Sequence, residues 1–190
     1  MKFKFFIKML KLFFNKFKRF IVDLRPLKKS DFKYCGETVF VNTGTVFANK
    51  EKISLNSNIY IGPDCRIFGS GGIDFGTGIV LGERVTIISA NHNYDSPGLD
   101  MLPFDTTYIE KPVRLGDFSW VGSNVIILPG VHVGQYSVIA AGSVLTKNTE
   151  DFSIYAGNPA KRIGYRKNQD LAEIKKSWAA LKAGSIYVVE

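Results

Sequence analysis

Residues 115–147 read LGDFSWVGSNVIILPGVHVGQYSVIAAGSVLTK, and this stretch decides the fold. An aliphatic residue returns at every sixth position, and a small or β-branched residue lies four positions after most of them. A period of six matches neither an α-helix nor an alternating strand. It is typical of short parallel strands joined by tight corners, with three strands to each coil. The aliphatic positions are Leu115, Val121, Ile127, Val133, Ile139 and Leu145.

An earlier block of the chain follows the same rule. It predicts two more coils, with one further coil beginning at Val41 and Phe47. Glycine often follows the aliphatic residue, as corners with unusual backbone angles require. Antiparallel hairpins, the alternative, would not keep this phase through six consecutive units. We therefore predict an all-β solenoid over residues 37–147. The aliphatic positions of the earlier block are Leu55, Ile61, Ile67, Phe75, Leu81 and Ile87.

The repeat pattern resembles that of the hexapeptide-repeat acyltransferase superfamily, over about residues 41–166. The resemblance implies a left-handed parallel β-helix that assembles as a homotrimer and uses acetyl-CoA as co-substrate. It also implies an active site between subunits, so that an isolated monomer would be inactive.

The repeat is interrupted at residues 91–112, which we interpret as an inserted acceptor loop. In sugar and xenobiotic acetyltransferases of this superfamily, a histidine at the root of such a loop is the general base, and Asn91-His92 matches that position. An imidazole with a reference pKa of about 6.5 is neutral often enough for this task. Tyr94 and Asp95 are expected to contact the substrate. Asp95 either orients His92 or simply forms a turn.

A donor side is implied by the segment Trp120-Val-Gly122-Ser123, which resembles the W-[IV]-G motif of the family. By this resemblance, Trp120 and Gly122 line the acetyl-CoA tunnel, and the Ser123 amide is the oxyanion donor. The remaining candidate donor contacts lie downstream. They are Ala141, Gly142 and Lys147 beside the pantetheine arm, and Pro159, Lys161 and Arg162 in a Gly-Asn-Pro-Ala-Lys-Arg segment facing the CoA phosphates.

The basic charge of the chain is concentrated at its N-terminus. Seven of the 25 basic residues precede the first acid, Asp23, whereas the rest of the chain holds 18 bases and 17 acids. At helical spacing, residues 1–25 form a basic amphipathic helix that either lies on an anionic cytoplasmic membrane face or packs on the protein. The lysines interrupt every apolar run, so this segment cannot span a bilayer. A protein-wide nucleic-acid surface is not expected.

Residues 148–190 are predicted to form a CoA-contacting tail that ends in a short amphipathic helix. We expect no metal, because the zinc site of the γ-class carbonic anhydrases that share this repeat needs three histidines and this chain has two. Two cysteines without a metal or redox spacing favour a reducing, cytoplasmic location.

The expected function is transfer of acetyl from acetyl-CoA to a sugar hydroxyl of a bacterial surface polysaccharide or its lipid-linked precursor. Antibiotic or nucleotide-sugar acetylation and a non-catalytic β-helix scaffold are the alternatives.

Overall fold

The computed structural model describes residues 26–95, 107–167 and 169–170. The helices expected over residues 1–25 and near the C-terminus lie outside these residues. Within the described part, two short 3₁₀ turns, Lys29–Asp31 and Lys50–Lys52, are the helical elements. No helix in this part is long and apolar enough to cross a membrane.

Five complete coils of three short strands make up most of the described residues. The first coil holds β1 (Tyr34–Cys35), β2 (Val39–Val41) and β3 (Val46–Ala48), and the second holds β4 (Ile53–Leu55), β5 (Ile59–Ile61) and β6 (Arg66–Phe68). The third holds β7 (Ile73–Phe75), β8 (Val80–Leu81) and β9 (Thr86–Ile88). After a hairpin of β10 (Ala90–His92) and β11 (Tyr108–Glu110), the fourth holds β12 (Val113–Leu115), β13 (Trp120–Val121) and β14 (Ile126–Ile127). The fifth holds β15 (His132–Val133), β16 (Val138–Ile139) and β17 (Val144–Leu145), and β18 (Ser153–Gly157) and β19 (Ala160–Tyr165) follow.

The strands stack into three parallel sheets, one on each side of the coil. Sheet A has the order β1-β4-β7-β12-β15, sheet C has the order β3-β6-β9-β14-β17, and sheet B contains β2-β5-β8-β13-β16-β18 with β19 antiparallel at its end. The predicted left-handed parallel β-helix is confirmed. The parallel part of sheet B runs one strand beyond residue 147, because β18 pairs with β16 in parallel.

Both positions of the repeat point into the core, as the sequence pattern predicts. Leu81 and Val85, four residues apart, are fully buried, and so are Val121 and Val125 in the next coil. The coil that we predicted to begin at Val41 and Phe47 is also present, with both side chains packed against the core. Burying each such aliphatic side chain is worth about 1.5–3 kcal/mol, so the stacked column supplies the main stabilising term.

The corners between sheets A and B need a left-handed backbone conformation, and it recurs in every coil. Thr38, Asn58 and Gly78 occupy this position in the first three coils, with φ between 57° and 73°. Phe118, Tyr136 and Phe152 occupy it in the next turns, and their rings stack with centroid distances of 5.1 and 4.7 Å. Aromatic stacking of this kind contributes roughly 0.5–1.5 kcal/mol per pair and offsets part of the backbone strain.

The insertion leaves the solenoid at a corner between sheets C and A, without disturbing the register of the coils. Ile73 of β7 pairs directly with Val113 of β12, although the insertion lies between them in the chain. The two ends of the insertion meet at Ser89, whose carbonyl oxygen accepts the Lys111 amide at 2.9 Å. The coil above and the coil below therefore pack as though the insertion were absent.

Candidate functional site

His92 lies at the root of the insertion, where the sequence predicts the general base. It ends β10, and β10 pairs antiparallel with β11 so that His92 is opposite Tyr108. The strand begins just after Ser89, which is buried and whose hydroxyl donates to the Phe68 carbonyl at 2.8 Å and accepts the Gly71 amide at 2.9 Å. The base candidate is thus held on a short strand anchored to the core, and its side chain is exposed to solvent.

Tyr108 contacts the imidazole of His92, a contact that the sequence did not indicate. The two ring centroids are 4.6 Å apart and the planes are inclined by 39°. The flanking pairs Asn93–Thr107 and Ser89–Lys111 carry the hydrogen bonds of the ladder, so His92 and Tyr108 form a non-hydrogen-bonded pair. Side chains in such pairs approach most closely. Within the described residues, the His92 ring makes no hydrogen bond.

The three neighbours of His92 that were selected from the sequence take different positions. Asn91 is exposed and points to the opposite face of the hairpin from His92, because side chains alternate along a strand. Tyr94 is 76% exposed. The Asp95 amide donates to the Asn93 side chain at 3.2 Å, which agrees with the turn that the sequence predicts as one of two roles for Asp95. No hydrogen bond joins Asp95 to His92 in the described part of the chain.

The corner between sheets B and C carries backbone amides with no partner. In three of the A–B corners, the corresponding amides of Glu37, Thr77 and Gln135 donate to a side-chain oxygen of the next coil, at 2.8–3.0 Å. At the B–C corner, the amides of Ser123 and Ala141 meet no acceptor among the described residues. An unpaired N–H at a corner is a ready donor to an anionic or carbonyl oxygen.

Glycine keeps both of these amides uncovered. A methyl group on Gly82, one coil above, would lie 2.6 Å from the Ser123 nitrogen, and a methyl group on Gly122 would lie 2.6 Å from the Ala141 nitrogen. No side chain fits at these distances, so glycine allows both the close approach of the coils and access to the amides. Gly142 has φ +72° and open space around it, so that position needs glycine only for its backbone conformation.

Trp120 lies on the outer surface of sheet B and is 51% exposed. It pairs with Val80 on one side and Val138 on the other. Because Trp120 is half exposed and lies near the uncovered amides, it is better placed to contact a ligand than to pack in the core. It belongs to a column of apolar side chains that crosses the whole sheet, namely Phe40, Tyr60, Val80, Trp120, Val138 and Ile154.

The segment predicted to contact the CoA phosphates forms the turn of the β18–β19 hairpin. Pro159 and Lys161 are exposed, and Lys161 makes no ion pair within the described residues. Arg162 is engaged differently: its guanidinium donates to both oxygens of Glu150, at 2.6 and 2.7 Å, and lies over the Tyr165 ring. The Tyr165 hydroxyl also donates to Glu150. This hydrogen bond, followed by the Arg162 contact, lowers the pKa of the Glu150 carboxyl.

The candidate residues fall into two groups on different edges of one protomer. Trp120, Ser123 and the hairpin that follows sheet B belong to sheet B and the B–C corner. His92 and the exposed Lys147 follow strands of sheet C and lie at the C–A corner. The width of sheet C separates the two groups, so a single chain does not bring His92 and the Ser123 amide together.

Among the described residues, no group of three His, Cys, Asp or Glu side chains could hold a metal ion. Burial raises the pKa of the Cys65 thiol. Burial also raises the pKa of the Cys35 thiol, which is the less buried of the two. Neither cysteine lies among the candidate residues.

Comparison with known proteins agrees with the fold. The family described as "Bacterial transferase hexapeptide (six repeats)" matches residues 112–147. A "Probable macrolide acetyltransferase" of Lysinibacillus sphaericus is 39% identical over 116 residues, which cover 53% of this chain and 63% of the relative. The chain spans 54–66% of the length of the curated relatives that it matches.

Solved structures lead to the same group. A maltose O-acetyltransferase from Clostridium difficile 630 superposes with a TM-score of 0.64 at 28% identity, and covers 73% of this chain and 72% of its own. A galactoside acetyltransferase in complex with coenzyme A superposes with a TM-score of 0.57 at 25% identity, and covers 71% of this chain and 69% of its own. The coil pattern, the sheet topology and these relatives together give this chain the hexapeptide-repeat β-helix fold of the acetyltransferases to which it is similar.

Proposed function

We propose that this protein transfers an acetyl group from acetyl-CoA to a hydroxyl group of a sugar in a bacterial surface polysaccharide or its lipid-linked precursor, with His92 as general base. The observation that carries the proposal is the position of His92. It stands exposed at the root of the insertion, and its ring nitrogens have no hydrogen-bond partner among the described residues. The imidazole is therefore available to an acceptor hydroxyl.

The chemistry needs a base on one side of the thioester and a donor of hydrogen bonds on the other. His92 removes the proton of the acceptor hydroxyl as its oxygen attacks the thioester carbon. The Ser123 amide then donates to the oxyanion that develops on the carbonyl oxygen, and one such donor is worth about 3 kcal/mol. The thiolate of CoA leaves, and the protonated His92 returns a proton to it.

Acetyl-CoA as donor is supported by the solved relative that holds coenzyme A and by Trp120 and the uncovered amides of this chain. The uncovered amides of Ser123 and Ala141 would face the pantetheine arm, and Trp120 would pack along it. Lys161 is the cation available to the CoA phosphates, since Arg162 is neutralised by Glu150.

A homotrimer would bring the two groups of candidate residues together, with His92 of one chain facing the Trp120 and Ser123 of its neighbour. The separation of these groups across sheet C supports this arrangement. It can be tested by mixing His92→Ala and Trp120→Glu subunits after reversible dissociation. If each site is shared between two chains, random trimers should recover about one quarter of the wild-type activity. Sites contained within single chains would recover none.

The central test is release of free thiol from acetyl-CoA with a panel of sugars and surface glycans. His92→Ala should lower kcat by about 10²–10⁴-fold and leave CoA binding, measured by calorimetry, unchanged. His132→Ala removes the other histidine, on sheet A, and serves as the matched control. A kcat of His92→Ala equal to that of wild type would disprove the assigned base. A chain that binds no CoA at all would disprove the transferase proposal.

Acetylation of an antibiotic hydroxyl is the second candidate, favoured by the 39% identity to the "Probable macrolide acetyltransferase". The same mechanism would apply, and the difference would lie in the insertion that contacts the acceptor. Including macrolides in the acceptor panel distinguishes sugar acetylation from antibiotic acetylation, because the preferred acceptor is the one with the higher kcat/KM.

A further inference from the structure

We infer that residues 2–24, together with the exposed first coil of the β-helix, bind the surface of an anionic phospholipid membrane. This contact is independent of the proposed acetyl transfer. It follows from the charge and the apolar pattern of the N-terminal segment and from the surface of the described residues that continue it.

Charge is the first argument. Lys2, Lys4 and Lys8 begin a run of seven cations with no acid before Asp23, while the remaining chain is nearly neutral. Helices on ordinary protein surfaces mix charges of both signs. A segment that carries only positive charges, attached to a chain that is otherwise nearly neutral, is suited to one extended anionic partner.

The apolar residues of the same segment identify that partner as a membrane. At helical spacing, eight large apolar side chains share the face opposite Lys4, Lys8, Lys11 and Lys18: Phe3, Phe6, Leu10, Phe13, Phe14, Phe17, Ile21 and Leu24. Nucleic acid offers negative charge but no place for such a face. The interface of a bilayer offers both anionic headgroups and hydrocarbon, which is the environment of a basic amphipathic helix.

The described structure continues this character onto the β-helix. Leu27 and Tyr34 are 41% and 55% exposed, and Lys28, Lys29 and Lys33 between them are exposed as well. The acid in their midst, Asp31, is half-buried, accepts the Lys28 amide at 3.0 Å and lies 3.7 Å from the Lys50 ammonium. Residues 27–34, which lead into the first coil, therefore present apolar and basic side chains directly after the N-terminal segment.

This contact has a geometric consequence that rests on the proposed function. Strands of successive coils lie about 4.8 Å apart, so the third coil, which carries His92, is about 10 Å from the first. A first coil at the headgroups would hold His92 within reach of sugars attached to a lipid. The acceptor that this favours is the lipid-linked precursor.

Sedimentation with vesicles tests the membrane contact without any assay of activity. The full chain should bind vesicles of phosphatidylcholine mixed with phosphatidylglycerol, and should not bind vesicles of phosphatidylcholine alone. Binding should fall as salt rises. The double variant Lys8→Gln/Lys11→Gln should bind roughly 30-fold more weakly, since each cation near an anionic surface contributes about fivefold.

Two further variants complete the test. Phe13→Ser/Phe17→Ser keeps the charge and should also lose binding, whereas Arg66→Gln/Lys167→Gln removes the same charge from exposed positions elsewhere and should bind as wild type. Equal binding to both kinds of vesicle, or none to either, would overturn the inference. So would a chain lacking residues 2–22 that still sediments with anionic vesicles. A lower Tm of that truncated chain, without any loss of vesicle binding, would instead indicate a helix packed on the protein.

Discussion

The imidazole of His92 and the phenol ring of Tyr108 lie 4.6 Å apart as a cross-strand pair at the root of the insertion. Because this is a non-hydrogen-bonded pair, the tyrosine ring restricts the rotamers that the histidine can adopt. We interpret Tyr108 as a positioning residue for the proposed base.

Replacing Tyr108 should therefore affect turnover more than donor binding. Tyr108→Leu removes the ring contact, which is worth about 0.5–1.5 kcal/mol, so kcat should fall by roughly 2- to 10-fold with an unchanged KM for acetyl-CoA. Tyr108→Phe keeps the ring and should keep kcat. Steady-state kinetics of the two variants check this. A wild-type kcat in Tyr108→Leu would contradict the positioning role.

Lys161 and Arg162 should differ in their contribution to CoA binding although they are adjacent. Lys161→Gln removes the available cation and should weaken CoA binding about tenfold. Arg162→Gln breaks the contact with Glu150 and should change CoA affinity less. Calorimetric titration of both variants with CoA gives the comparison. If Arg162→Gln had the larger effect, the guanidinium would have to exchange Glu150 for a phosphate on binding.

Gly82 and Gly62 offer a test of the Ser123 amide as oxyanion donor. A methyl group on Gly82 would lie 2.6 Å from the Ser123 nitrogen, whereas one on Gly62 would crowd Gly82 and the Glu83 nitrogen, at 2.7–2.8 Å. Both alanine variants should lower the free energy of unfolding by about 1–3 kcal/mol. Only Gly82→Ala covers the Ser123 amide, so it alone should lower kcat, by about 100-fold. Equal kcat losses in the two variants would indicate distortion of the coil rather than loss of the donor.

Two buried serines should respond oppositely to loss of their hydroxyl groups. The Ser119 hydroxyl is buried and has no hydrogen-bond partner among the described residues, whereas the Ser137 hydroxyl donates to the Glu150 carbonyl at 2.7 Å. Ser119→Ala should raise the free energy of unfolding by about 1 kcal/mol, and Ser137→Ala should lower it by about the same amount. Denaturant titration measures both changes. A destabilised Ser119→Ala variant would mean that the hydroxyl has a partner in the assembled protein.

Acid should weaken the cluster of Glu150, Arg162 and Tyr165. The Tyr165 hydroxyl and then Arg162 lower the pKa of Glu150 in the folded protein. The cluster therefore stabilises the folded protein at pH values above the ordinary glutamate pKa of about 4.3. This stabilisation is lost as the pH falls through the lowered pKa that Glu150 has in the folded protein. Wild type should be more stable than Glu150→Gln at neutral pH, and the difference in Tm should shrink below about pH 4. A difference that is constant with pH would contradict this.

The sequence predicts the coils well because the information is local and repeated. Each aliphatic residue and its partner four positions later face the same core, and the period alone places Leu81, Val85, Val121 and Val125 inside. Even the first coil, seen only through Val41 and Phe47, follows from this period.

The site is less accessible to sequence reasoning because its contacts cross unrelated parts of the chain. The period could mark where the insertion begins, and so select His92, but it says nothing about the antiparallel return of β11 that brings Tyr108 to the imidazole. The alternation of Tyr108 and Glu110 with Ile109 is the sequence pattern that indicates a strand here. Likewise, the basic pair Lys161-Arg162 looks uniform in sequence, and only the fold shows that Glu150 and Tyr165 engage one member.

The way in which the insertion joins the β-helix has an evolutionary consequence. Its ends meet at the Lys111–Ser89 hydrogen bond of 2.9 Å, and the coils on either side keep their register. The entropy of closing a loop whose ends are already fixed changes slowly with its length. The insertion should therefore be exchangeable: chimaeras that carry the corresponding hairpin of a relative should fold with the same Tm and acquire a new acceptor preference, while the proposed acetyl-CoA contacts stay unchanged.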